Sequence, residues 1–185
     1  MEEIQVDWEG QFPSREQKFY PGSYGRVDST GSLSHLKNFT VLVTLWPTLP
    51  GSGEQTIFSH FHDLSGWRLF LDQDGCFVAE LGDGANLRTM KLNGSLHERK
   101  WYRAWVCYDS GTSTLTLGKS ILDPGLSTED QSQTNQNFDF KAAGTEVPLL
   151  MAASHGDPVH FHFNGKLEAP SIFSKVLHEK EIEAF

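Results

Sequence analysis

Phe39-Thr40-Val41-Leu42-Val43-Thr44-Leu45-Trp46-Pro47 is the stretch that decides the fold. Phe39, Val41, Val43 and Leu45 alternate with Thr40, Leu42, Thr44 and Trp46, and Pro47 ends the run. A period of two places the first set on one face of a strand. The second set is itself half apolar, so the strand is buried on one face and partly covered on the other. Outward from it, residues 56–61 read as the next strand. Residues 67–71 and 76–81 flank Asp72-Gln73-Asp74-Gly75, a hairpin turn with glycine where positive φ is required. Residues 87–92 follow the turn Gly82-Asp83-Gly84. In residues 101–108, Trp101, Arg103, Trp105 and Cys107 alternate with Tyr102, Ala104, Val106 and Tyr108. Asp109-Ser110-Gly111 then turns the chain into residues 114–117, and residues 148–153 and 161–173 supply the last strands. Short strands separated by turn signals predict an antiparallel β-sandwich and not βαβ units. Val41, Val43, Trp101, Trp105, Phe161 and Phe163 are expected among its best-buried side chains.

Three regions stand outside the ladder. Residues 1–20 carry isolated Ile4, Val6, Trp8 and Phe12 among polar neighbours, like an arm lying along a sheet edge. Residues 119–147 run polar and irregular around Gln131-Ser132-Gln133-Thr134-Asn135-Gln136-Asn137, which reads as a long mobile loop. Residues 179–185 have helical spacing, with Leu177, Ile182 and Phe185 able to share one face. A helix this short needs packing to persist, against either the sandwich or a following domain. The chain of 185 residues is thus an arm (1–20) and one domain (21–185).

Composition excludes several classes of function. A formal charge of -9 repels phosphate, which argues against nucleic acid. The most apolar run, residues 39–46, is too short and too interrupted for a helical membrane span. Met1-Glu2-Glu3 carries the wrong charge for a secretory signal. Two cysteines, Cys76 and Cys107, build no disulfide framework, and a reduced cytoplasmic setting is the expectation.

Few residues are spaced for chemistry. Asp72 and Asp74 have the i, i+2 spacing of a same-face carboxylate pair, yet they bracket a glycine turn, where aspartate serves local hydrogen bonding. His60 and His62, and likewise His160 and His162, could each present two imidazoles to one metal, with His155, Asp63 and Asp157 as further ligands. The plainer reading puts Phe61 and Phe161 toward the core and the histidines outward. Cys76 and Cys107 read as core packing. Trp46, Trp67, Trp101 and Trp105 fill a core or form a stacking platform for sugars.

The same stretches carry a family resemblance. Pro21-Gly22-Ser23-Tyr24 with Val27, the run from Phe39 to Thr48 with Pro50-Gly51 and Gly53-Glu54-Gln55, Trp101-Tyr102, and Phe163-Asn164-Gly165-Lys166-Leu167-Glu168 resemble strands of laminin-G-like, concanavalin A-like jelly rolls. Such folds include glycosidases, but the Glu-x-Asp-x-x-Glu signature of the jelly-roll enzymes is missing here. The resemblance implies Ca²⁺ at the sandwich rim, where Asp83, Asp109, Asp157 and Asn164 would fall, although no dense acidic loop offers the six to eight oxygens it takes. More narrowly, Arg15, Gln17, Pro21-Gly22-Ser23-Tyr24, Trp46-Pro47-Thr48 and Phe163-Asn164-Gly165-Lys166 are similar to the jelly-roll region near the N-terminus of the N,N-dimethylformamidase large subunit. That resemblance implies a non-catalytic accessory module whose formamide-cleaving, iron-holding domain lies elsewhere, with that domain or a partner subunit as its partner. A carbohydrate-binding, lectin-like module is the alternative. No residue is assigned to catalysis, metal or cofactor. Trp46, Trp67, His155, His160, His162 and Phe185 are the expected ligand or docking surface.

Overall fold

The computed structural model describes residues 23–28, 31–123, 125, 131–156 and 158–185. The arm of residues 1–20, Pro21, Gly22 and Asp157 therefore lie outside the described residues. The elements run β1 (Gly25–Val27), α1 (Gly31–Ser34), β2 (Phe39–Pro47), β3 (Gln55–His62), β4 (Ser65–Leu71) and β5 (Cys76–Asp83). They continue as β6 (Leu87–Ser95), β7 (Tyr102–Asp109), β8 (Thr114–Ile121), β9 (Gln131–Asn135), β10 (Leu149–Met151), β11 (Gly165–Phe173) and α2 (Glu179–Glu183). One sheet has the order β1-β10-β3-β4-β5-β6 and the other β11-β2-β7-β8-β9, and the ladders are antiparallel. The fold is the expected β-sandwich with a short C-terminal helix, α1 being a further helical turn.

The core fills the space between the sheets. From β2 it takes Phe39, Val41, Val43 and Leu45, and β7 opposes them in register with Tyr108, Val106, Ala104 and Tyr102. Both buried tyrosines find hydrogen bonds: Tyr108 donates to the Phe138 carbonyl at 2.8 Å, and the Tyr102 hydroxyl accepts from the His97 N–H at 2.9 Å. The other sheet contributes Phe58, Trp67, Leu69, Leu71, Phe77, Leu81, Met90 and Leu92. The hairpin between β4 and β5 closes as expected, with Gly75 at φ 78° and the Asp72 carboxylate accepting from the N–H groups of Asp74 and Cys76 at 3.0 Å.

Four expectations are corrected. Trp101 and Trp105 are not core residues. The opposite parity of β7 faces inward, and the Trp105 indole lies so close over Gly118 of β8 that a methyl there would overlap its ring. In β3, a bulge between Thr56 and Phe58 inserts one residue into the ladder. Past the bulge the inward parity switches, so His60 faces the core opposite Trp67 and Phe61 turns away. Phe161 is 42% exposed at φ 53°, because residues 154–163 form isolated bridges to Ser154 and Thr56 and not a continuous strand. The polar stretch 119–147 holds β9, an edge strand whose Thr134 pairs with Thr116 through their hydroxyls at 2.9 Å. Its second half anchors Phe138, Ala143 and Val147 in the interior, and Lys141 bridges the backbones of Gly66 and Gly82. Alternation along residues 131–137 is polar on both faces, so nothing in it announces a strand.

Candidate functional site

The histidines gather at one end of the six-stranded sheet. His60 is buried at the end of β3, its ring 6.4 Å from Trp67. Burial pushes its pKa down, and His155 nearby pushes it further. His155 is half-buried and is lowered by burial first, then by His62 and Arg26. His162, close to Tyr24, is lowered by burial and then by His160. Neither ring nitrogen of His60 or His162 makes a hydrogen bond of normal geometry among the described residues. The structure therefore brings His60, His62 and His155 near one another, and His160 near His162. No three His, Cys, Asp or Glu side chains among the described residues converge as metal ligands. The arrangement holds neutral imidazoles.

Of the expected surface tryptophans, Trp67 is fully buried in the core, packed on Phe39 and Phe58, and reaches no ligand. Trp46 stands on the outer face of the five-stranded sheet, half-buried, its ring 6.4 Å from Trp101. The Lys166 ammonium on β11 sits 5.0 Å over the Trp46 ring. Arg103 and Trp105 follow on the same face of β7, beside a hollow of about 210 Å³ bordered by Ser120, Ser132, Glu179 and Ile182. Trp101 and Arg103 are not legible as surface residues in the sequence, because the alternation of residues 101–108 is apolar on both sides.

The acidic candidates are occupied structurally. Asp72 pairs with Lys91, and Asp74 lies at the same lysine. Asp83 accepts from the N–H groups of Asn86 and Ala85, which holds its carboxyl below the usual range. Asp109 accepts from Gly111 N–H and Thr112. Asn164 is bound through its N–H to Gln55. Glu54 and Glu80 clasp Arg68 at 2.7 and 2.8 Å. These carboxylates close turns and ladders one at a time, so they do not assemble a Ca²⁺ cage or an acid–base pair. Both cysteines are buried, and burial raises the Cys107 thiol pKa, which keeps it protonated and inert.

The C-terminal segment packs on the outer face of the five-stranded sheet. The buried Thr40 hydroxyl donates to the Lys175 carbonyl and accepts from the Leu177 N–H, both at 2.9 Å. Leu177 and Ile182 are buried with Leu42 and Cys107. Phe185 remains 54% exposed, edge-on to Phe173 at 5.3 Å. The helix thus rests on the sandwich itself. On the opposite side of that sheet's edge, between β1 and β11, an apolar groove of about 490 Å³ opens, with Val27 41% exposed on its rim.

No family model matches the chain. The chain is homologous to part of the N,N-dimethylformamidase beta subunit. It is 33% identical to the Alcaligenes sp protein over 98% of its own length and 26% of that relative. Against the Paracoccus aminophilus protein the identity is 27% over 97% of this chain and 26% of the relative. The chain therefore spans about a quarter of the length of the curated relatives it matches. Among solved structures, the CBM40 module of Ruminococcus gnavus IT-sialidase, bound to α2,3-sialyllactose, superposes with a TM-score of 0.64 at 15% identity, covering 83% of this chain and 84% of that one. The heptameric SAP-like pentraxin of Limulus polyphemus gives 0.61 at 13% identity, covering 92% and 77%. At such identities the likeness shows the fold alone, a jelly-roll β-sandwich.

Proposed function

We propose that this homologue of a quarter of the N,N-dimethylformamidase beta subunit is a non-catalytic accessory module of an amidohydrolase of that kind. It packs against the catalytic domain or a partner subunit in the cytoplasm. The observation that carries the reading is the span of the match: nearly all of this chain aligns with only 26% of a much longer relative. The structural engagement of Asp72, Asp83, Asp109, Glu54 and Glu80 supports it. The mononuclear iron that the resemblance assigns to the enzyme belongs to a domain outside this chain. The described residues do not fit it, since no three potential ligands converge among them. The test is dimethylamine release from N,N-dimethylformamide, with this chain alone compared against the complete polypeptide. Turnover is expected only in the complete protein. Turnover by the chain alone that a single change at Asp74, His160 or His162 abolishes overturns the proposal.

One observation favours a second reading. Half-exposed Trp46 and Trp101 lie side by side on one sheet face with Lys166 above, a surface on which a pyranose ring can stack. As a glycan-binding module, the chain would bind on a glycan array and lose that binding with Trp46→Ala and Trp101→Ala. An array without signal removes this reading and leaves the first untouched.

A further inference from the structure

The groove between β1 and β11 lies at the seam where the sandwich is open. Its walls are Leu33 and Leu36 from around α1, Leu149 and Met151 from β10, and Val27 and Ile172 from the two edge strands. Among the described residues β1 pairs only with β10, and β11 only with β2, so each edge strand leaves one row of backbone groups unpaired toward the seam. Apolar walls between two free strand edges fit an extended segment that alternates apolar and polar side chains.

This chain contains such a segment. In Ile4-Gln5-Val6-Asp7-Trp8 the apolar residues fall at i, i+2 and i+4, which places them on one face of an extended chain. The stretch from Trp8 to Gly25 can span about 50 Å when extended, ample for a return to the groove that β1 itself borders. Glu2, Glu3, Asp7 and Glu9 make the segment acidic, while Arg26 and Lys37 adjoin the lining residues Val27 and Leu36. We propose that residues 4–8 dock as an added strand in the β1–β11 groove, seating Ile4, Val6 and Trp8 against Val27, Met151 and Ile172. This site is independent of the accessory and glycan readings.

Paired cysteines in the full chain test it. Cys76 and Cys107 are buried and do not compete. Under mild oxidation, Val6→Cys with Ile172→Cys is expected to form an intramolecular disulfide at least tenfold faster than Val6→Cys with Leu87→Cys, Leu87 being exposed on the far edge strand β6. In a separate measurement that needs no cross-link, Val6→Asp is expected to speed hydrogen exchange of the β1 amides at least tenfold while leaving β6 unchanged. Equal cross-linking at positions 172 and 87 overturns the proposal, as does unchanged exchange in Val6→Asp. Disulfide-linked dimers with position 172 would assign the groove to a second copy of the chain and overturn it too.

Discussion

At the seam between β6 and β8, Lys119 runs inward, only 3% exposed, and donates to the carbonyls of Asn93 and Gly94 at 3.3 and 3.0 Å. At the opposite seam, β1 has three residues, β11 is interrupted by a bulge between Glu168 and Ser171, and an apolar groove separates them. Both seams join the edges of the same two sheets. They differ because β6 has nine residues and runs far enough to present Met90, Leu92 and Leu96 to the core, whereas a three-residue strand presents too little side chain to seal its side. One edge is finished by the fold itself, and the other is left for a segment still to be added.

The largest effect should separate the seams directly. Leu92→Ala, in the closed side, should lower stability by about 4 kcal/mol, since a packed site collapses poorly around a cavity. Leu149→Ala, whose neighbours border the groove, should cost only about 2 kcal/mol, near the low end for such truncations. Denaturant unfolding of both variants checks the order, and equal losses would mean the groove is as tightly packed as the core.

Next in size, Lys119→Met should cost about 1 kcal/mol, because Asn93 and Gly94 are exposed enough for water to replace the ammonium. Its exchange signature should be local, with faster amides in residues 93–96 and unchanged ones in β1.

Acid should act on the open side first. His60, His155 and His162 have folded-state pKa values below the ordinary 6.5. Above pH 6.5 both folded and unfolded chains hold them neutral, and stability is full. As pH falls below 6.5 the unfolded chain takes up protons before the folded one, so stability declines until the depressed values are passed. Unfolding free energies from pH 7.5 to pH 5 should fall, and exchange in β10 and β3 should rise before that in β6. A flat profile, or loss starting at β6, would detach the histidines from this seam.

The smallest effect belongs to the rim. Val27→Ser should change stability by less than about 0.5 kcal/mol, as expected for a surface position.

The strand order around residues 39–47, the glycine turn at Asp72 to Gly75 and the terminal helix were all readable from residue types, because alternation, turn chemistry and helical spacing are local properties. The surface was less readable. Trp67 and Trp46 are both tryptophans in strands, yet one is core and the other stands outside, and only the register of β3 with β4 and of β2 with β7 separates them. His60 and Phe61 exchanged expected faces through one bulged residue, Ile57, which no local pattern announces. Among the candidate surface residues, Trp46, His155, His162 and Phe185 retain exposed area, His160 lies in an exposed loop, and the groove of Val27, Met151 and Ile172 carried no signal. Its members come from four distant stretches of chain, each ordinary in itself.

Alternation by itself determined that this chain makes strands, how many turns separate them and that two sheets must cover one another, since a half-apolar strand has to bury its apolar face. Which half of residues 101–108 faces inward was decided only by tertiary structure. Both halves are apolar enough to be buried, and the partner strand β2 together with Gly118 on β8 breaks the tie by fitting the smaller set inside and the wide indole outside. The same holds for the seams. Strand length can be read along the chain, but whether two edges meet depends on which strands the two sheets place at their ends, and that is a property of the assembled sandwich.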